Sequence, residues 1–439
     1  MKSVAAAACA AVAVAGIASQ SAAQVGNPAT PTVGRPVTSP VGPPAPVRAV
    51  PLAPRTGPLP RALTISQALD EAAARSPVVL AAEAEVRAAE ARARQAGYRS
   101  NPEISLAVEN FGGSGELRGL RSTETTLAVN QRLDLGGRRA ARIAAARVGI
   151  EVQKLRLAIV RADLAQTVRE QFARAVAARD KLAQATENET RARELARVAG
   201  ILVDAGRDPP LRALRARTAL AQAQAEREAA EADELAARSS LAASLGVRVP
   251  VISVSGPTVD LTPQAINVDT GIDVRLADAE RAAAEAAFRQ QLAERRLDPA
   301  VGLGIRHIRE TGDVGLVAGV SMPLRIFDRN QGNIDAARQA LAAADARRAS
   351  ILASTTARAR NAIANVEAAE RRVEALEKAA VPEAAEALRL TELSYREGRA
   401  TLLELLDAQN AYTASRAALT EARLALALAT AELGRISAQ

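Results

Sequence analysis

The side chains that usually carry chemistry are scarce in this chain: 439 residues contain one histidine, His307, and one cysteine, Cys9. A structural metal site takes about four ligands, so a lone imidazole cannot build one. His307 lies in an alternating, strand-like stretch beside a turn, where the expected role is a passive strand residue. Cys9 lies in an apolar run near the N-terminus. No G-x-x-x-x-G-K-[ST] phosphate loop is present. The glycine-rich run Gly112-Gly113-Ser114-Gly115 is followed by strand-like sequence, not by a helix N-terminus, so it reads as a hairpin tip. No catalytic residue, no metal site and no cofactor is expected. Energy for any transport has to come from a partner.

With little chemistry to position, the elements themselves become informative. Aromatic residues make up 2 % of the chain, there is no Trp, and Ala, Leu, Arg and Glu dominate. That composition suits long helices packed through small residues. The net charge is +8, with a pI near 10.4. Arg is interleaved with Glu and Asp rather than clustered, as on solvated helix faces, so nucleic acid is not an expected partner.

At the N-terminus, Lys2, an apolar run from Val4 to Ala18, and Ser21 and Ala23 before Gln24 form the three-part pattern of a cleaved secretory signal, residues 1–23. The run is shorter than the roughly 20 residues of a spanning helix. The mature chain is therefore expected to carry no thiol. Residues 24–62 form a proline-rich, disordered leader: 11 of the 21 prolines fall between Gly26 and Pro60. Order is expected from about Leu63, with one helix running to about Gly97.

Beyond the leader the sequence repeats. NPEISLAVEN (101–110) is echoed by DPAVGLGIRH (298–307), and LDLGGRRAARIAAAR (133–147) by LRIFDRNQGNIDAAR (324–338). DAGRDPPLRALRA (204–216) is echoed by REGRATLLELLDA (396–408), which places Gly206 against Gly398 at an offset of 192. Three landmarks in one order indicate a tandem duplication, with repeats at 63–247 and 267–436 joined by a linker at 248–266. Each repeat reads helix, two strands, long helix, tip, long helix.

No proline interrupts the chain between Pro102 and Pro209. Some 60 helical residues there span about 90 Å. Near the C-terminus Leu405, Tyr412, Leu419, Leu426 and Leu433 recur in heptads, with Ala408, Ser415, Ala422 and Ala429 between them. One large and one small residue per heptad is a coiled-coil-like seam.

The strand segments, about 102–110, 124–135, 300–309 and 313–324, alternate. Leu106 and Val108, Leu127 and Val129, Leu303, and Leu316 sit on apolar faces, and Ser105, Ala128, Asn130, Gly302, Gly304 and Arg306 on the opposite ones. Each segment is about the length needed to cross a bilayer at a tilt. Four strands cannot close a barrel, and an open edge in lipid leaves backbone groups unpaired. A membrane role therefore requires several chains to pool their strands, while a soluble hairpin would alternate in the same way.

The duplicated helix–hairpin–helix plan over about residues 63–436 resembles the TolC-type outer-membrane factors of Gram-negative bacteria. NPEISL, ENFGG, STETTLAVNQ and LDLGGRRAARI (within 101–147) resemble the branch that serves heavy-metal efflux of the cobalt–zinc–cadmium type. The resemblance implies a mostly α fold with a membrane β-barrel part. Long antiparallel coiled-coil helices form an α-barrel tunnel in the periplasm, and each chain of a homotrimer gives four strands to a 12-stranded barrel. It implies a passive duct that works with a periplasmic adaptor and an inner-membrane RND-type pump, in contact with outer-membrane lipid. SYREGRATLLELLDA (394–408) resembles the second helical tip. Tyr395, Gly398 and Gly206 then fall at adaptor-facing tips, and Glu404 and Asp407 match the family's periplasmic constriction. Carboxylates three apart share a helix face, and threefold symmetry turns each into a ring that favours cations. The first tip departs from the pattern: Pro209-Pro210 is expected to leave it broken or differently shaped.

The cargo rests on the resemblance alone. A duct for drugs or for type I protein secretion shares the same architecture, and a soluble periplasmic coiled-coil scaffold is the reading from another class.

Overall fold

The computed structural model describes residues 55–257 and 267–438. The expected signal peptide, most of the leader and part of the 248–266 linker lie outside the described residues. The element order is β1 (Ala62–Leu63), α1 (Ile65–Arg75), α2 (Pro77–Gly97), β2 (Glu103–Glu109), β3 (Glu124–Arg132), α3 (Arg138–Asp204), α4 (Pro210–Ser244) and β4 (Ser253–Val254). The second half follows with α5 (Ile272–Glu294), β5 (Ala300–Ile308), β6 (Val314–Ser321), α6 (Gln331–Ala375), α7 (Val381–Arg396) and α8 (Leu402–Ile436). Each half carries the expected helix–hairpin–long helix–tip–helix order.

The single helix expected before the first hairpin is two. Pro77 lacks an N–H and occupies the first turn of α2, so Ser76 ends α1 and begins α2. The return strands also stop three residues short of expectation, at Arg132 and Ser321. Leu135 N–H folds back to Leu133 C=O at 2.9 Å. On the other strand Pro323 has no N–H to continue a ladder.

With no proline and only two glycines, Gly149 and Gly200, α3 runs unbroken for 67 residues, about 100 Å. Its counterpart is jointed. A π-helical turn, Leu376–Ala380, separates α6 from α7. Pro382 cannot donate to the carbonyl four residues back and its ring crowds it, which widens the turn just before it.

The helices and strands form the same open sequence at three heights. In the sheet the order is β2-β3-β5-β6, antiparallel throughout. Beside the sheet α3 packs on α2 and α5, and α5 on α6. Towards the tips α3 packs on α4 and α8, and α8 on α7. Thus β2, α2 and α4 form one flank, and β6, α6 and α7 the other.

A compact core holds the middle of α3. Val168, Phe172, Ala175 and Val176 are buried with Leu63, Ala68, Ala72, Leu241, Leu245, Val251 and Val254. Here β1 pairs in parallel with β4, Ala62 against Ser253 and Leu63 against Val254. The leader and linker are therefore not wholly unstructured. Leu59 packs on this core, and Arg179 Nη1 donates to Val254 C=O at 3.2 Å. The expected heptad seam is present in α8, where Leu405, Ala422 and Leu426 are buried.

Candidate functional site: the hairpin tips and the sheet

The two tips are built alike. Gly206 and Gly398 take φ of 69° and 74°, the left-handed conformation that glycine adopts without strain. In the first tip Gly206 N–H donates to Val203 C=O at 2.9 Å and Arg207 N–H to Leu202 C=O at 2.9 Å. In the second, Gly398 N–H donates to Tyr395 C=O at 3.0 Å and Arg399 N–H to Ser394 C=O at 2.8 Å. The expectation of a broken first tip is therefore corrected. Pro209 is the N-cap of α4 and Pro210 its first residue, two positions that need no N–H. Asp208 pairs with Arg212 there.

Glu404 has a local task. Thr401 caps α8, and its N–H and hydroxyl donate to the Glu404 carboxylate at 2.6 and 2.9 Å, while Glu404 N–H donates to the Thr401 hydroxyl at 3.3 Å. The Thr401 N–H, then its hydroxyl, hold the Glu404 carboxyl below the usual carboxylate range. This capping box is legible as T-x-x-E in the sequence, a signal the tip resemblance overshadowed. Asp407, one turn on, is exposed, and its side chain makes no hydrogen bond or ion pair among the described residues. Both carboxylates lie on the face of α8 turned away from the buried Leu402, Leu405 and Gln409.

An apolar cluster of Leu195, Ala199, Ala216, Leu388, Leu402 and Leu405 ties the two hairpins together just behind the tips. Tyr395 packs on it with its hydroxyl buried and without a hydrogen-bond partner. Burial first, then the nearby Asp208, raise the phenol above its ordinary range. Further from the tips the α3–α8 seam turns polar. Glu187 pairs with Arg416 and Arg191, Gln409 Nε2 donates to Asn188 Oδ1 at 3.0 Å, and the Arg191 and Arg416 guanidinium groups lie 5.1 and 5.5 Å from the Tyr412 ring centroid. Heptad reading marked Tyr412 as a seam residue and missed the arginines around it.

At the other end the sheet separates two surfaces. Ile104, Val129, Leu303 and Ala318 form one row across the four strands, and Leu106, Leu127, Ile305 and Leu316 the next. All six strand residues singled out in the sequence (Leu106, Val108, Leu127, Val129, Leu303 and Leu316) fall on this one face and are exposed, Leu316 to 91 %. The opposite face is polar and small. Arg306 bonds Glu124 at 2.8 Å, the Thr126 hydroxyl at 3.0 Å and Glu109 at 3.3 Å, and Asn130 donates to Ser105 at 2.9 Å. A Cβ on Gly304 would stand 2.6 Å from Leu127 C=O, so the backbone there leaves room only for glycine. His307 sits in the end row of the apolar face, opposite Thr125 and Val314.

No group of three or more His, Cys, Asp and Glu among the described residues is placed to hold a metal ion. Among those residues no helix is long and apolar enough to cross a membrane.

Long paired helices that carry a small sheet, exposed on its apolar face and open at both edges, define the TolC-like outer-membrane channel fold. VceC of Vibrio cholerae matches it with a TM-score of 0.71 at 20 % identity, over 85 % of this chain and 96 % of that one. CusC matches with a TM-score of 0.71 at 17 % identity, over 85 % and 92 %. The chain belongs to the outer membrane efflux protein family, whose model covers residues 68–247 and 271–439. Its relatives include the cobalt-zinc-cadmium resistance protein CzcC of Cupriavidus metallidurans, 30 % identical over 82 % of this chain and 86 % of that protein. The nickel-cobalt-cadmium resistance protein NccC of Alcaligenes xylosoxydans xylosoxydans is 31 % identical over 69 % and 70 %.

Proposed function

We propose that this protein is the outer-membrane duct of a tripartite efflux system that exports divalent heavy-metal cations. Three copies pool four strands each into one barrel, and their helices form the periplasmic tunnel. The observation that carries the reading is the sheet: an exposed apolar face, a polar opposite face, and unpaired edges at β2 and β6. In lipid those edges have to be paired, and β6 of one copy against β2 of the next continues the antiparallel order. In this arrangement Leu106, Val108, Leu127, Val129, Leu303 and Leu316 face lipid, and Arg306 with its acidic partners faces the lumen.

The tips meet a periplasmic adaptor through the surface around Tyr395, Gly398 and Gly206, and an inner-membrane RND-type pump supplies energy. Glu404 and Asp407 form two carboxylate rings at the entrance, a polarity that favours cations. The metal cargo is supported by the named resistance proteins among the relatives. Deletion of the gene is expected to sensitise cells to zinc, cadmium, cobalt or nickel. Unchanged metal tolerance with new drug sensitivity overturns the cargo. A mature protein that stays soluble without detergent overturns the duct.

A further inference from the structure

The open sequence α4-α3-α8-α7 leaves α4 and α7 with a helical neighbour on one flank only. The matched tip hydrogen bonds fix the register of the two repeats, Gly206 upon Gly398, and α7 continues that register without interruption from Val381 to Arg396. Under it Arg191 and Leu195 of α3 map onto Glu383 and Ala387 of α7, and Gln409 of α8 maps onto Arg217 of α4.

The mapped residues differ sharply in burial. Leu195 and Gln409 are 9 % and 8 % exposed, covered within the α3–α8 seam, and Arg191 reaches Tyr412 across it. Ala387, Glu383 and Arg217 are all exposed. Neither the Glu383 nor the Arg217 side chain has an ion-pair or hydrogen-bond partner among the described residues. The face that the chain covers in one repeat is bare in the other, and there Glu383 and Arg217 carry opposite charges. Their heights agree as well. The intrachain Asn188–Gln409 bond joins a residue 18 before its tip glycine to one 11 after, and Glu383 and Arg217 stand 15 before and 11 after. The two pairs differ by three residues, about 4.5 Å of helix rise, which is within side-chain reach.

We propose that α7 of one copy packs against α4 of the next as α3 packs against α8 within a chain, with Glu383 of one copy paired to Arg217 of its neighbour. The surface is thus an interface for a second copy of this chain. It rests on the assembled-duct reading and adds which residues close the tunnel ring near the tips. An ion pair fits this place because it rejects a shifted partner as well as holding the correct one.

The test is charge reversal in the full-length mature chain, purified in detergent, with assembly followed by native mass spectrometry during heating. Glu383→Arg and Arg217→Glu are each expected to lower the temperature at which the trimer dissociates, and the double variant to restore it. A second measurement joins Glu383→Cys and Arg217→Cys in one chain with a short bismaleimide. Covalent multimers up to the trimer are expected, and neither single cysteine is expected to pass a linked pair. A wild-type protein that is never trimeric overturns the assembly reading. A trimeric wild type in which the double reversal does no better than the singles, and the cysteine pair gives no multimers, overturns this interface alone.

Discussion

Glu404 and Asp407 share a helix face and one charge, yet their surroundings differ. Glu404 is held by the N-cap, and Asp407 is unengaged. Neutralising both, Glu404→Gln with Asp407→Asn, is expected to change single-channel conductance and relieve block by divalent cations in planar bilayers. Asp407→Asn alone is expected to produce most of the relief, because its carboxylate is free to meet a cation. Unchanged block marks both as surface decoration. Glu404 is held below its ordinary value of 4.5, so its charge persists as pH falls through that value and is lost only below it. The sign for stability is the same: a lowered folded-state pKa gives a contribution present above the unfolded value and lost as pH falls through the folded one. Thr401→Ala removes the cap, and a loss of about 1 kcal/mol is expected in thermal or denaturant unfolding. The capping box could be read from four letters of sequence, whereas the lone buried hydroxyl of Tyr395 could not. It depends on α3, α7 and α8 converging from distant parts of the chain.

At the scale of elements, the helices and strands were legible because their signals are local. Proline-free runs, alternation and the repeated GR turn each act within a few residues. What was not legible arises from position within an element. Pro209-Pro210 looks disruptive as a dipeptide and is harmless at an N-cap and first turn, where an N–H has no intrahelical acceptor in any case. Pro210→Ala is accordingly expected to change stability by less than about 1 kcal/mol in either direction, through the unfolded chain and not through the tip. The β1–β4 pair escaped sequence reading because two residues per strand give no periodicity, and the pairing spans 191 residues from Ala62 to Ser253. Its support is the core around Phe172, 2 % exposed. Phe172→Ala is expected to cost about 3–5 kcal/mol, visible as a lowered unfolding temperature.

For the whole molecule the decisive property is incompleteness. The sheet exposes Leu316 and Val320 to 91 % and 76 %, and neither flank of the chain is closed. A protein that ended there would aggregate through its edges. In the proposed pooled barrel these edges are paired and the exposed leucines become lipid contacts. Leu316→Arg is therefore expected to cost about 2–4 kcal/mol near the bilayer centre and to reduce the heat-resistant, membrane-assembled form. Val317→Arg, on the opposite face beside Gly304, is expected to assemble and to shift ion selectivity instead. Equal effects of the two argue against the assigned faces. The sequence pattern put the six apolar residues on faces that the strand register joins into one, because a side-chain period of two is unambiguous once strand limits are known. It could not supply the partner for each edge, which in the proposed assembly is another copy of the chain.

The joint between α6 and α7 has a mechanical meaning. An unbroken helix such as α3 resists bending along its whole length, whereas a widened turn followed by Pro382 concentrates flexure at one point. The two hairpins of one chain thus have unequal stiffness despite matching tips. A load on the second tip is absorbed within about four turns of helix, while a load on the first travels along a rigid strut to the Phe172 core. Amide exchange is expected to be faster at Leu376–Ala380 than at Gln184–Asn188, its equivalent in the strut. Equal protection at both places means the joint is as stiff as the strut.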